Sequence, residues 1–192
     1  MMTPDTAALT GGFSDAPCDA ARAFRAILEA MARPGRIYPV TGATPPAPLS
    51  VAAGTALLVL ADGTTPVHLA GRFDTPEIRQ WLTFHTGAPL TAPAEAAFAV
   101  GDWAGLLPLD AYRIGVPEYP DRSATLIVEL DALKDEGARL TGPGIEHEHR
   151  LNLPEPAAFR ANAALFPLGL DFIVTAGERV AALPRTTKVE DA

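Results

Sequence analysis

Glu118-Tyr119-Pro120-Asp121-Arg122-Ser123-Ala124-Thr125 is a polar, proline-stiffened stretch that runs straight into Leu126-Ile127-Val128-Glu129-Leu130. The second part decides the fold. Positions 124, 126, 128 and 130 are apolar while 125 and 129 are Thr and Glu. That alternation predicts a strand over Ala124 to Leu130 in a sheet with one better-buried face. The first part reads as a loop whose acid–arginine pair and hydroxyls form either a strand cap or the edge of a site. Two further loops share its character: Leu140-Thr141-Gly142-Pro143-Gly144-Ile145 and Leu183-Pro184-Arg185-Thr186-Thr187.

Three helices are legible around this strand. The first spans Ala16 to Ala32, with Asp15 as N-cap and Pro34-Gly35 as its stop. Phe24, Ile27, Leu28 and Met31 recur at the spacing of a buried stripe, and Arg25 and Glu29 pair on the wet face. The second opens on a capping box, Asp74-Thr75-Pro76-Glu77, buries Ile78, Trp81, Leu82 and His85, and ends at Gly87. The third runs from about Glu155 to Phe166, with Phe159, Asn162, Ala163 and Phe166 on one face.

Leu57-Leu58-Val59-Leu60 is continuously apolar, as a strand buried on both faces would be. Short strands are predicted near Val67 to Leu69 and Ala97 to Gly101. Phe172 to Thr175 and Val180 to Leu183 flank Ala176-Gly177-Glu178-Arg179 as a hairpin. The order is not a strict βαβ alternation, so the fold class is α/β: a layered sandwich with a mixed sheet covered by helices. One domain over residues 1–192 is expected, with flexible ends before about residue 10 and after 189.

Composition narrows the function. The chain has 48% hydrophobic and 20% charged residues and a net charge of −8, against any broad nucleic-acid or anionic-membrane surface. One cysteine excludes a disulfide framework, a zinc ribbon and a self-contained iron–sulfur site. Neither a signal peptide nor an apolar run long enough to span a bilayer is present, so a cytoplasmic protein is expected. P-loop, dinucleotide-binding, nucleophile-elbow and H-E-x-x-H motifs are absent. Lys134 lies among acids and Lys188 near the chain end; neither suits a Schiff base, so no cofactor is expected.

The remaining candidates are few. Glu146-His147-Glu148-His149 would put two imidazoles on one strand face as weak metal ligands, or is simply a polar edge. His85 and His68 read as structural, Cys18 as a small packing residue, and Asn162 as a buried amide bonded to a nearby loop. Thr141 to Gly144 reads as a tight turn rather than an anion nest. Arg122 and Arg185, with Thr186, Thr187, Asp121 and Tyr119 beside them, are the candidate anion-binding or interface residues. Arg33 joins them, although its place after a helix also suits C-capping.

The chain resembles the H-subunit family of the bacterial carbon–phosphorus lyase system (PhnH). The matching stretches are Gly12 to Pro17, Phe24 to Gly35, Thr86 to Pro89, Gly115 to Thr125, Leu140 to Ile145, Asn162 to Asp171 and Leu183 to Glu190. What the resemblance implies is a fold like the major domain of pyridoxal-phosphate-dependent transferases, without the cofactor. It implies a homodimer in isolation that joins the G, I and J subunits (PhnG, PhnI, PhnJ). That complex makes a ribose 1-phosphonate 5-triphosphate from ATP and an alkylphosphonate. No catalytic residue is implied for this subunit, and whether it is an enzyme stays open. An accessory subunit is one expectation. The alternative is a free-standing phosphonate- or nucleotide-binding enzyme with its site at the homodimer interface.

Overall fold

The computed structural model of the protein describes residues 9–191, so the expectation for the first residues lies mostly outside the described chain. Its helices are α1 (Ala16–Ala32), α2 (Val51–Leu60), α3 (Pro76–Thr86), α4 (Trp103–Leu106) and α5 (Pro156–Ala163). The first six strands are β1 (Tyr38–Pro39), β2 (Val67–Leu69), β3 (Phe98–Asp102), β4 (Ile114–Val116), β5 (Tyr119–Ser123) and β6 (Thr125–Glu129). They are followed by β7 (Ala138–Thr141), β8 (His149–Leu151), β9 (Asp171–Ala176), β10 (Arg179–Leu183) and β11 (Lys188–Glu190).

Six strands form the central sheet in the order β1-β10-β9-β6-β3-β2. The β2–β3, β3–β6 and β6–β9 pairs are parallel; the β9–β10 hairpin and β1 are antiparallel. The mixed sheet is therefore as expected. Alternate residues of its strands serve two cores: Val100, Ile127 and Ile173 face α1, α2 and α3, while Leu126, Val128, Phe172 and Val174 face the other way. That second face is covered by α5 and a small antiparallel sheet, β11-β7-β8. The result is three layers. The strand over Thr125–Glu129 is thus buried on both faces, Glu129 included, and not on one better-buried face.

The largest departure from expectation is α2. Leu57 to Leu60 belongs to a helix, not a strand. Its N-cap Ser50 accepts from the Ala53 N–H, and Ala52 through Leu57 are all buried. A helix wrapped in protein has no polar face, so its sequence carries no helical period. A short apolar run cannot then be told from a buried strand.

The face of α1 also turns out one position away from the expected stripe. Ala23, Ile27 and Ala30 are buried, whereas Phe24 and Leu28 are 51% and 54% exposed. Alanines let the helix backbone sit close to α2 and β10, and close packing outweighs side-chain size here. Glu29 pairs with Arg33, not with Arg25. The α3 cap is Thr75, which accepts from Ile78 N–H at 3.3 Å, and Asp74 instead pairs with Arg79. Phe166 lies beyond α5 and is 60% exposed, and Cys18 is exposed rather than packed. The chain continues as a strand through Glu190, with Val189 buried, so regular structure extends past 189.

Asn162 behaves as expected. Its amide donates to the Leu170 carbonyl and accepts from the Leu170 N–H, each at 2.8 Å. It ties α5 to the start of β9.

Candidate functional site

The polar stretch before β6 is not a loop. Tyr119–Ser123 is β5, paired antiparallel with β4 in a two-stranded ribbon apart from the main sheet. Isolated ribbons are marginal without further support; the Gly169 N–H donates to the Ile114 carbonyl at 3.0 Å, and Arg185 adds a side-chain tie. Its Nε donates to Asp171 Oδ1 at 3.2 Å and Nη1 to the Pro120 carbonyl at 2.7 Å. Nη2 reaches both Ser123 Oγ and Asp171 Oδ2. Asp171 also accepts from the Arg185 backbone N–H at 2.8 Å. The Arg185 side chain is 11% exposed and that of Asp171 18%. One guanidinium therefore binds the ribbon to the head of β9, and its fork is occupied within the chain.

The other residues named from sequence are scattered. Arg122 stacks over the Tyr119 ring at 3.9 Å on the exposed side of the ribbon, with Asp121 exposed beside them. Thr187 is buried with a hydroxyl that has no hydrogen-bond partner among the described residues, and Thr186 is half-buried. Arg33 closes α1 and pairs with Glu29. His147 is 87% exposed near Glu146, while His149 Nε2 accepts from Arg36 Nε at 3.3 Å. Among the described residues no group of three His, Cys, Asp or Glu side chains is placed to hold a metal ion. His85 and His68 each contact a backbone carbonyl, of Thr10 and Thr91 respectively. The Thr141 to Gly144 segment is part of the turn between β7 and β8, as the turn reading has it.

Two features escaped the sequence. The first lies at the carboxyl ends of the parallel strands, the edge at which open α/β sheets place ligands. Asp102, Glu129 and Thr175 stand side by side on β3, β6 and β9. Arg72 pairs with Asp102 at 3.0 Å. Glu129 accepts from the Ser50 N–H at 2.6 Å and from Thr175 Oγ1 at 2.9 Å, fastening the start of α2 to the sheet. Burial raises the Glu129 carboxyl above its ordinary value, and the Ser50 and Thr175 hydrogen bonds and the Arg72 charge only partly offset this.

A carboxyl whose folded pKa is raised holds its proton longer in the folded chain than in the unfolded one. Its ionisation therefore lowers stability as pH rises above the ordinary glutamate value. Glu129→Gln keeps an acceptor for Ser50 and removes the charge. We expect its stability relative to wild type to grow as pH rises above the ordinary glutamate range of about 4, read from urea unfolding at several pH values. Parallel curves would show that the carboxylate is not penalised.

The second feature is apolar. A hollow of about 650 Å³ opens between the ribbon and α5, lined by Leu107, Tyr112, Ile114, Leu165 and Leu170 among others. Exposed apolar side chains belong to it and to its neighbours in the chain: Leu107 and Leu165 are on its wall, Phe166 follows Leu165, and Val116 and Tyr119 are on the ribbon whose Ile114 lines it. Scattered exposed apolar residues are ordinary, but a cluster around a concave wall has the composition of an interaction surface. Neighbours in space but not in sequence supply it, so only exposure in the folded chain could reveal it.

Comparison with known proteins bears on which reading to take. The family model described as "Bacterial phosphonate metabolism protein (PhnH)" matches residues 11–190. The chain is 39% identical to the alpha-D-ribose 1-methylphosphonate 5-triphosphate synthase subunit PhnH of Rhizobium meliloti (strain 1021), over 98% of this chain and 99% of that protein. It is 32% identical to HtxG of Stutzerimonas stutzeri, a candidate C-P lyase subunit protein, over 93% of this chain and 94% of the relative.

Proposed function

The chain belongs to the PhnH family of bacterial phosphonate metabolism proteins, and from that membership we propose that it is an accessory subunit of a C–P lyase core complex. In this role it supports formation of alpha-D-ribose 1-methylphosphonate 5-triphosphate from ATP and methylphosphonate, in organic phosphonate catabolism. The observation that carries the reading is 39% identity, over nearly the whole of both chains, with a named subunit of that synthase. The geometry agrees with it. The exposed Leu107 and Leu165 on the wall of the hollow suit a contact surface, and the arginine first in line for an anion, Arg185, is committed inside the fold.

The finer reading follows the family resemblance. The layered sheet is taken as a relative of the major domain of pyridoxal-phosphate-dependent transferases, serving as a rigid frame without the cofactor. The chain is a cytoplasmic homodimer when alone, and its partners in the assembly are the G, I and J subunits. No helix among the described residues is long and apolar enough to cross a membrane. The helical layer exposes further apolar side chains, Phe24 and Leu28 on α1 and Phe84 on α3, each more than half exposed. Two kinds of contact, with itself and with other subunits, thus have two surfaces to use.

Co-expression with the G, I and J subunits followed by size-exclusion chromatography tests the proposal. The chain is expected to elute with them as one assembly; consistent elution apart from them sinks it.

A further inference from the structure

We propose that the cavity between the end of α1 and the β8 edge is a binding site for a tetrahedral oxyanion, of the phosphate and phosphonate class. The cavity measures about 460 Å³ and is lined by Gly35, Arg36, Tyr38, Asp135, His149 and Arg179, together with Ile37. None of these residues is engaged by the apolar hollow or by the Arg185 cluster.

The argument is one of charge. The protein carries 15 Lys and Arg against 23 Asp and Glu, so an arginine readily finds a carboxylate. Eight of its arginines have one within 4.0 Å: Arg22, Arg33, Arg72, Arg79, Arg139, Arg150, Arg160 and Arg185. Among the described residues Arg36 and Arg179 have none, although both line a single cavity that also contains Asp135. Two guanidinium groups left free of acids on one concave wall are a matched pair of forks for an anion with several oxygens.

The wall is also built to hold them there. Gly35 has φ +84°, a conformation that favours glycine, and a Cβ on it would meet His149 Cβ at 2.9 Å and Leu140 Cδ1 at 2.7 Å. Its N–H donates to the Ala182 carbonyl at 3.2 Å, which fixes the turn to β10. This close approach lets Arg36 Nε donate to His149 Nε2, which orients the guanidinium and leaves its terminal nitrogens without a partner among the described residues. Arg179 starts β10 opposite Pro39, on the strand pair that carries Tyr38. Asp135 is the one acid on the wall, and it opposes an anion. An oxyanion therefore enters against Asp135 and is held by the two arginines.

The site does not depend on assembly with other subunits, so the purified full-length chain tests it. Calorimetric titrations with inorganic phosphate, methylphosphonate and ATP compare a free anion, a phosphonate and a nucleotide phosphate. We expect saturable binding at one site per chain for at least one of the three. Arg36→Gln and Arg179→Gln should each weaken it on the order of tenfold, and the double variant should abolish it. Asp135→Asn should strengthen it, and Arg25→Gln, which lies on α1 outside the cavity, should leave it unchanged. The Arg179 side chain makes no hydrogen bond among the described residues, so its replacement reports on binding and not on folding. Absence of saturable binding for all three probes overturns the proposal, as does unchanged affinity in the double variant. Co-elution of that double variant with the sister subunits keeps the accessory-subunit reading separate from this one.

Discussion

Replacing Arg185 with alanine is expected to lower the unfolding free energy by about 3 kcal/mol, the scale for breaking a largely buried ion pair by removing one partner. The substitution leaves the Asp171 carboxylate with its backbone contact alone and strips the ribbon of its bonds at Pro120 and Ser123. Urea unfolding followed by the fluorescence of Trp81 and Trp103 measures it. Arg185→Lys should recover only part of the loss, because a point charge cannot serve three partners held by a planar fork. A loss under about 1 kcal/mol, the range of exposed pairs, would mean that water reaches this cluster freely. The same variant carries a functional consequence. With the ribbon loosened, Ile114 no longer holds its place on the wall of the hollow, so association with partner subunits should weaken as well.

The second large effect concerns that hollow directly. Leu165→Asp combined with Phe166→Asp should remove the chain from the assembly, because a few central apolar side chains carry most of an interface's binding energy. Leu165 and Phe166 are 46% and 60% exposed, so the stability of the isolated chain should change little, by about 0.5 kcal/mol or less per site. Copurification with the sister subunits reads the first effect and urea unfolding the second. Phe24→Asp with Leu28→Asp, on the helical layer, is the matched comparison. Loss of assembly in that pair, with retention in the Leu165 and Phe166 pair, would move the subunit contact to α1 and refute the assignment of the hollow.

Much of this architecture was legible before folding because local chemistry specified it. Thr75 with Pro76 opens α3 and Gly87 at φ +69° closes it, signals that act within a turn of the chain. The β9–β10 hairpin announces itself through two apolar runs around Gly177. Asn162 interrupts an apolar helix face, and a buried amide has to find partners; it finds both on Leu170. The family resemblance was equally visible, since its motifs run in order along the chain and the matched region spans residues 11–190.

What stayed hidden depended on contacts between distant segments. Whether Leu57 to Leu60 is helix or strand is not marked in an all-apolar run, in which no polar face supplies the period that would distinguish them. Whether α1 buries Phe24 or Ala23 depends on how near the sheet allows a backbone to come. Arg185 had the residue types of an anion site, yet Asp171 and Pro120, 14 and 65 positions away, engage its donors. Arg36, Arg179 and His149 drew no shared attention along the chain, and only the meeting of α1's end with β8 and β10 puts them on one wall. The amino-acid order by itself fixed the punctuation of the elements, the mixed α/β class and the kinship, because capping, turn and period effects are short-ranged. Tertiary packing alone chose which charges are spent inside the molecule and which face outward, because pairing a charge requires a partner that only the folded chain brings within reach.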